Sequence, residues 1–90
     1  MVRLGAGKPH PRKRYDRSIV VVFGEKLKAA RLKTGLTQAQ LAQGAGLLQQ
    51  YISLIELGKQ NVTLETAEAL ADVVDRDVRH LLPIRRPRTR

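Results

Sequence analysis

The chain has no cysteine. A disulfide framework and a thiolate metal site are therefore excluded, and a reducing cytoplasm is the compatible compartment. Long apolar runs are missing too. The longest, Ile19 to Phe23, falls far short of the ~20 residues of a membrane span. It is also too short for the apolar region of a secretory signal, and no small-residue cleavage site follows it. No membrane contact is expected, and the expected localisation is cytoplasmic. Catalytic constellations are absent as well. There is no acid–base cluster, no glycine-rich phosphate loop after a strand and no metal-ligand spacing. His10 and His80 share no motif. A protein that is not an enzyme, with no cofactor and no metal, is expected.

Acidic residues are scarce. Eight Asp and Glu face seventeen Lys and Arg, for a net charge of +9 over 90 residues. The excess is unevenly placed. Residues 1–17 carry Arg3, Lys8, Arg12, Lys13, Arg14 and Arg17 against Asp16, and residues 83–90 carry Arg85, Arg86, Arg88 and Arg90. The cations and anions of residues 18–82 cancel. A neutral core between two cationic tails points to a polyanionic partner. The core is itself polarised, with cations prevailing in residues 18–59 and anions in residues 60–82. Phosphates would be repelled by the acidic half, which selects one docking face.

This length allows one domain. A core this small buries only about 60% of the surface of the unfolded chain, so a dimer would help to stabilise it. Residues 1–17 contain Gly5, Gly7, Pro9 and Pro11 among their charges and have no apolar periodicity. They read as a basic arm, disordered when alone. The folded domain is expected over 18–82 and a second basic tail over 83–90.

The organising stretch is Thr37 to Gly58. Thr37 and Gln40 have the spacing of a capping box, and Leu41, Ala42 and Ala45 give the following helix a small apolar face. Gly44 and Gly46 are expected to break it. A second helix is expected from about Leu48 to Leu57, with Ile52 and Ile55 inward, Tyr51 beside them and Gly58 as the stop. Two short helices joined by a tight turn make a helix-turn-helix. The outward face of the second helix carries Gln49, Gln50, Ser53 and Leu54. Glutamine pairs bidentately with adenine, and Leu54 could lie against a thymine methyl. No arginine on this face can fork onto guanine, so A·T-containing sites suit it. Thr37 and Gln38 stand where free helix N–H groups point outward, a natural phosphate site. Lys59 and Asn61, in the loop after the second helix, are further phosphate candidates with Tyr51.

On either side, Ser18 reads as the cap of a first helix ending before Gly35. Ile19, Val22 or Phe23, Leu27 and Ala30 have the spacing of one buried stripe. The run from Ile19 to Val22 is β-branched and a poor helix former. Helix is preferred there over an extended segment or a dimer contact. Thr63 reads as the cap of a helix burying Leu64, Ala67, Leu70, Ala71 and Val74. Asp77 reads as the cap of a last helix bearing Val78, Leu81 and Leu82, and Pro83 closes the folded part.

These motifs occur in register: Leu27-x-x-x-Arg31, Gly35-Leu36-Thr37-Gln38, Leu41-Ala42-x-x-Ala45-Gly46 and Ile52-x-x-Ile55-Glu56-x-Gly58-Lys59. From Phe23 to Leu82 the chain resembles the lambda-repressor-like DNA-binding domain of the Cro or Xre family of regulators. The resemblance implies an all-α fold of five helices, flanked here by basic flexible tails, that binds operator DNA as a homodimer in a bacterial or phage nucleoid. It implies a structural pair between Arg31 and Glu56. It also implies that Gln38 contacts a phosphate and braces the recognition helix, and that Gln49 and Gln50 read bases. Leu48 stands where the family often has Ser or Thr, and Leu54 and Leu57 where polar or basic residues are common. Three leucines near this face are also a candidate protein-contact surface, as in an antitoxin-like interaction module.

Overall fold

The computed structural model describes residues 18–83. The basic residues Arg12, Lys13, Arg14, Arg17, Arg85, Arg86, Arg88 and Arg90 lie outside the described part. Four α-helices follow one another: α1 (Ile19–Lys33), α2 (Gln38–Ala45), α3 (Gln49–Glu56) and α4 (Leu64–Val73). One 3₁₀ turn, Val78–Leu81, completes the described chain, which contains no strand.

Local chemistry starts three of the helices. The Ser18 hydroxyl accepts from the Val21 amide at 3.3 Å, and the Thr63 hydroxyl accepts from the Thr66 amide at 3.0 Å. At α2 the capping box is complete. The Thr37 hydroxyl accepts from the Gln40 amide at 3.0 Å, and the Gln40 side chain accepts from the Thr37 amide at 2.8 Å. Helix α3 has no such device. Its N-cap is Leu48, which offers no side-chain acceptor. Its position is set by packing, with Ile52 and Ile55 fully buried.

The stops also share a geometry. Gly46 takes the left-handed backbone at φ 71°, and the Leu47 amide returns to the Ala42 carbonyl at 2.8 Å. That bond turns the chain from α2 into α3 within three residues. At the end of α4 the same left-handed position is held by Asp75, at φ 58°. There the Arg76 amide returns to the Ala71 carbonyl at 2.9 Å. A short polar side chain tolerates this geometry better than a branched one.

Leu27, Leu41, Ile52, Ile55, Leu70, Val74 and Leu81 are the largest fully buried side chains. Every helix contributes at least one, so no helix can leave without opening the core. Helix α3 packs on both α1 and α2, and α2 also packs on α4. The α1–α3 approach depends on Gly24, whose absent Cβ would fall on the Ile55 carbonyl oxygen.

The structure corrects four expectations. A fifth α-helix is not formed; Val78–Leu81 is a single 3₁₀ turn. The stretch between the left-handed Asp75 and Pro83 is too short to repay helix nucleation. Gly44 does not break α2, which continues to Ala45. It lies inside the helix, where a Cβ would press on Val73 of α4 at 3.0 Å. Ile19 and Leu64 do not belong to the buried stripes, being 57% and 82% exposed. Each is the first residue of its helix, where the stripe runs past the end of the core. Phe23 is the buried member of the Val22–Phe23 alternative. Ile19 to Val22 is helical throughout.

Candidate nucleic-acid interface

Helix α3 is eight residues long, about 12 Å at 1.5 Å per residue. Its amphipathic split orients it. Ile52 and Ile55 anchor one side in the core, so Gln49, Gln50, Ser53 and Leu54 must face away. These four, together with Gln38 from α2, line one open concavity of about 410 Å³. No charged side chain lines it. The four base-reading candidates of the sequence are thus gathered on one surface, and Gln38 joins them there.

Behind this surface lies a buried polar network. Arg31 of α1 and Glu56 of α3 form a two-point ion pair, Nε to Oε2 at 2.7 Å and Nη2 to Oε1 at 3.0 Å. Their side chains are 9% and 3% exposed. Arg31 Nη1 also donates to the Leu36 carbonyl at 3.0 Å, tying the pair to the loop before α2. Gln38 Nε2 donates to Glu56 Oε1 at 3.0 Å. One carboxylate therefore joins α1, α2 and α3. Hydrogen bonding to Glu56 raises the Arg31 guanidinium above its ordinary value, against the opposing effect of burial. Its charge is permanent, and the carboxylate is its counter-ion.

The network holds Gln38 in one orientation. An amide NH₂ has two protons; one is committed to Glu56, and the other remains for a ligand in the concavity. Sequence reading alone did not find the bond to Glu56 or the one to Leu36, because the partners are far apart in the chain or lie on its backbone. It also missed Gly24. The available signal was a glycine inside a helical pattern, which costs ~1 kcal/mol against alanine and so implies a packing reason.

The remaining phosphate candidates stand around α3. Thr37 is exposed at the start of α2 with its hydroxyl in the cap. The half-buried Tyr51 donates from its hydroxyl to the Asn61 carbonyl at 3.3 Å, which ties α3 to the following loop. Lys59 is exposed, and its backbone amide donates to the Leu54 carbonyl at 2.9 Å. Of the three leucines, Leu48 and Leu57 are 72% and 64% exposed, and Leu54 is 40% exposed. Only Leu54 lines the concavity. Among the described residues no group of three or more His, Cys, Asp or Glu could hold a metal ion. No described helix is long and apolar enough to cross a membrane.

Comparison with known proteins bears on the family and the fold. A helix-turn-helix family model matches residues 27–81. The immunity repressor protein of Bacillus phage phi105 is 44% identical over 51 residues, covering 57% of this chain. The chain spans about a third (35%) of that repressor's length. The restriction-modification controller protein C.AhdI of Aeromonas hydrophila superposes with a TM-score of 0.67 at 36% identity, over 70% of this chain and 96% of that one. A crystal structure of SinR, the master regulator for biofilm formation, in complex with DNA superposes at 0.63 with 32% identity, over 66% of this chain and 95% of that one. With the family match spanning α2, the turn and α3, the chain belongs to the Cro/Xre-type helix-turn-helix family of DNA-binding transcriptional regulators.

Proposed function

We propose that the chain regulates transcription as a homodimer on an inverted repeat, with α3 lying in the major groove of each half-site. One observation carries this reading. Gln49, Gln50, Ser53 and Leu54 share a concavity with Gln38, on a helix whose far side is locked into the core. Amides on a rigid support suit base edges better than they suit phosphates, because a bidentate contact needs fixed geometry. Adenine is the base that glutamine pairs with, so A·T pairs belong in each half-site. Thr37 and Gln38 at the start of α2, and Tyr51, Lys59 and Asn61 around the loop after α3, would take the flanking phosphates and set the register. Two copies would place their recognition helices about 34 Å apart, roughly one turn of duplex.

The test is selection of bound duplexes from a randomised pool at roughly 150 mM salt, which suppresses contacts made by charge alone. Enrichment of an inverted repeat with A·T pairs in each half is the expected result. Retention without enrichment would sink the sequence-reading role.

A second reading has its own supporting observation: the excess charge sits in residues 1–17 and 83–90, while the concavity on α3 is uncharged. In this reading the tails supply most of the affinity and the protein is a low-specificity accessory factor. Removing residues 83–90 would then flatten the plot of log affinity against log salt by up to about 3.6 for four phosphates on B-DNA. An unchanged slope would show that the C-terminal tail does not engage DNA.

A further inference from the structure

We propose that Leu54 reads a 5-methylpyrimidine, packing on the C5 methyl of thymine or of 5-methylcytosine in the bound half-site. This role rests on the sequence-reading function proposed above and gives one position of that site its chemistry. Of the residues lining the concavity on α3, Gln38, Gln49, Gln50 and Ser53 are polar and Leu54 alone is apolar. Leu54 is 40% exposed, so part of its side chain is packed and part is free. Its neighbours hold it in place. Ile52 and Ile55 are fully buried, and the Leu54 carbonyl accepts from the Lys59 amide at 2.9 Å.

The major groove offers such a side chain one kind of partner. Base edges there present hydrogen-bond donors and acceptors, apart from the C5 methyl of thymine. Cytosine has a bare carbon at the equivalent place, and methylation creates the same group. A leucine pressed on a donor or acceptor would remove its water and return no hydrogen bond, which is unfavourable. Pressed on a methyl, it buries apolar surface on both sides. Leu54 therefore favours a 5-methylpyrimidine beneath it and disfavours guanine and unmethylated cytosine.

Position narrows the choice of base. Gln50 lies four residues before Leu54, on the same face of α3. Four residues of helix rise by about 6 Å, and successive base pairs are about 3.4 Å apart. The methyl thus belongs within about two base pairs of the base that Gln50 reads. Leu48 and Leu57 stand apart from this role. They are 72% and 64% exposed, at the two ends of α3, and neither lines the concavity.

The test starts from the half-site found by duplex selection. Each thymine of one half-site is replaced singly by deoxyuridine, which removes the methyl and leaves base pairing intact. Cytosine and 5-methylcytosine are then compared at the position that responds. Binding of the full chain and of Leu54→Ala is measured by fluorescence anisotropy at roughly 150 mM salt, with circular dichroism as the check on folding. At one position near the Gln50 base, uracil should weaken the parent chain roughly three- to tenfold. Leu54→Ala should bind the thymine and uracil duplexes equally. A similar gain from 5-methylcytosine over cytosine would support a reader that answers to either methyl. No gain would support thymine as the source, with the neighbouring amide contacts demanding an A·T pair. A selected site at which every uracil is neutral for the parent chain overturns the role of Leu54 and leaves the sequence-reading function standing. That arm needs no variant, so it decides the matter even if Leu54→Ala fails to fold. Sensitivity to uracil that persists in a folded Leu54→Ala chain also overturns it, because another side chain then touches the methyl. If no sequence is enriched at all, the reading function and the methyl contact fall together.

Discussion

Glu56→Gln is the perturbation that asks most of this structure. The substitution keeps the size of the side chain and removes its charge. The Arg31 guanidinium then stays buried beside a neutral amide, having lost its counter-ion at 2.7 Å. Water cannot replace it, since the two side chains are only 9% and 3% exposed. Breaking a buried pair from one side costs about 3–5 kcal/mol, most of it the desolvated charge left behind. A domain of this size has only ~3–10 kcal/mol of stability in total. With a urea dependence near ~1 kcal/mol per molar for so small a protein, the midpoint should fall by roughly 3–5 M. The double variant Arg31→Met, Glu56→Met removes both charges and should lose less than Glu56→Gln alone, because no unpaired ion remains. It will not be neutral, as the Leu36 carbonyl and the Gln38 amide lose their partners. Urea denaturation of the three chains at one pH makes the comparison. A Glu56→Gln loss below ~1 kcal/mol, the value of an exposed pair, would refute the claim that this network is buried and holds three helices. A double variant at least as unstable as Glu56→Gln would refute the argument about the unpaired charge.

Three other outcomes are expected. Gly24→Ala should destabilise the fold by about 2 kcal/mol or more, although alanine is the better helix former by ~1 kcal/mol, because the new Cβ meets a backbone carbonyl that cannot turn aside; a stabilised variant in thermal melts would contradict the α1–α3 packing. Gln50→Ala should weaken binding to the selected site by ~1–3 kcal/mol and relax base preference at one position; equal losses on selected and scrambled duplexes, measured by fluorescence anisotropy, would remove Gln50 from the reading face. The Asp77 carboxyl, held down chiefly by its side-chain hydrogen bond to Arg79 and then by the Arg79 backbone amide, should titrate at about 2 instead of 3.8. Its folded value is the lower one, so its small contribution to stability is present above pH 3.8 and is lost as pH falls through about 2. Carboxyl NMR should show that midpoint, and Asp77→Asn should flatten the stability profile in that window; an Asp77 midpoint near 3.8 would refute the pairing.

Much of the fold and part of the site were legible residue by residue. Ser18, Thr37 with Gln40, and Thr63 start helices because a side-chain oxygen two or three positions from a free amide acts locally, whatever the rest of the chain does. Gly46 and Gly58 stop helices for an equally local reason. The outward placement of Gln49, Gln50, Ser53 and Leu54 follows from the periodicity of α3, which needs only Ile52 and Ile55 to face the core. The basic tails and the uncharged outward face of α3 are likewise properties of the chain as written. The pairing of Arg31 with Glu56 was legible only through family resemblance, since the two are 25 positions apart and no local rule joins them.

Tertiary structure decided the rest. Gly44 has the composition of a helix end but lies inside α2 against Val73, because close packing of α2 on α4 uses the missing side chain. Leu64 and Ile19 have the spacing of core residues but lie on the surface, because an apolar stripe is buried only as far as there is a neighbour to cover it. The last segment has a capping residue and apolar positions yet makes only one 3₁₀ turn, because the left-handed Asp75 and then Pro83 leave too little chain between them. Family resemblance implied that Gln38 braces the recognition helix, but its partner appears only in the structure, where Glu56 arrives beneath it from another helix. Caps, stops and faces depend on neighbours a few positions away, so the sequence by itself determined them. Burial, close approach and the orientation of a polar group depend on what lies across the core, and those were settled only when the helices packed.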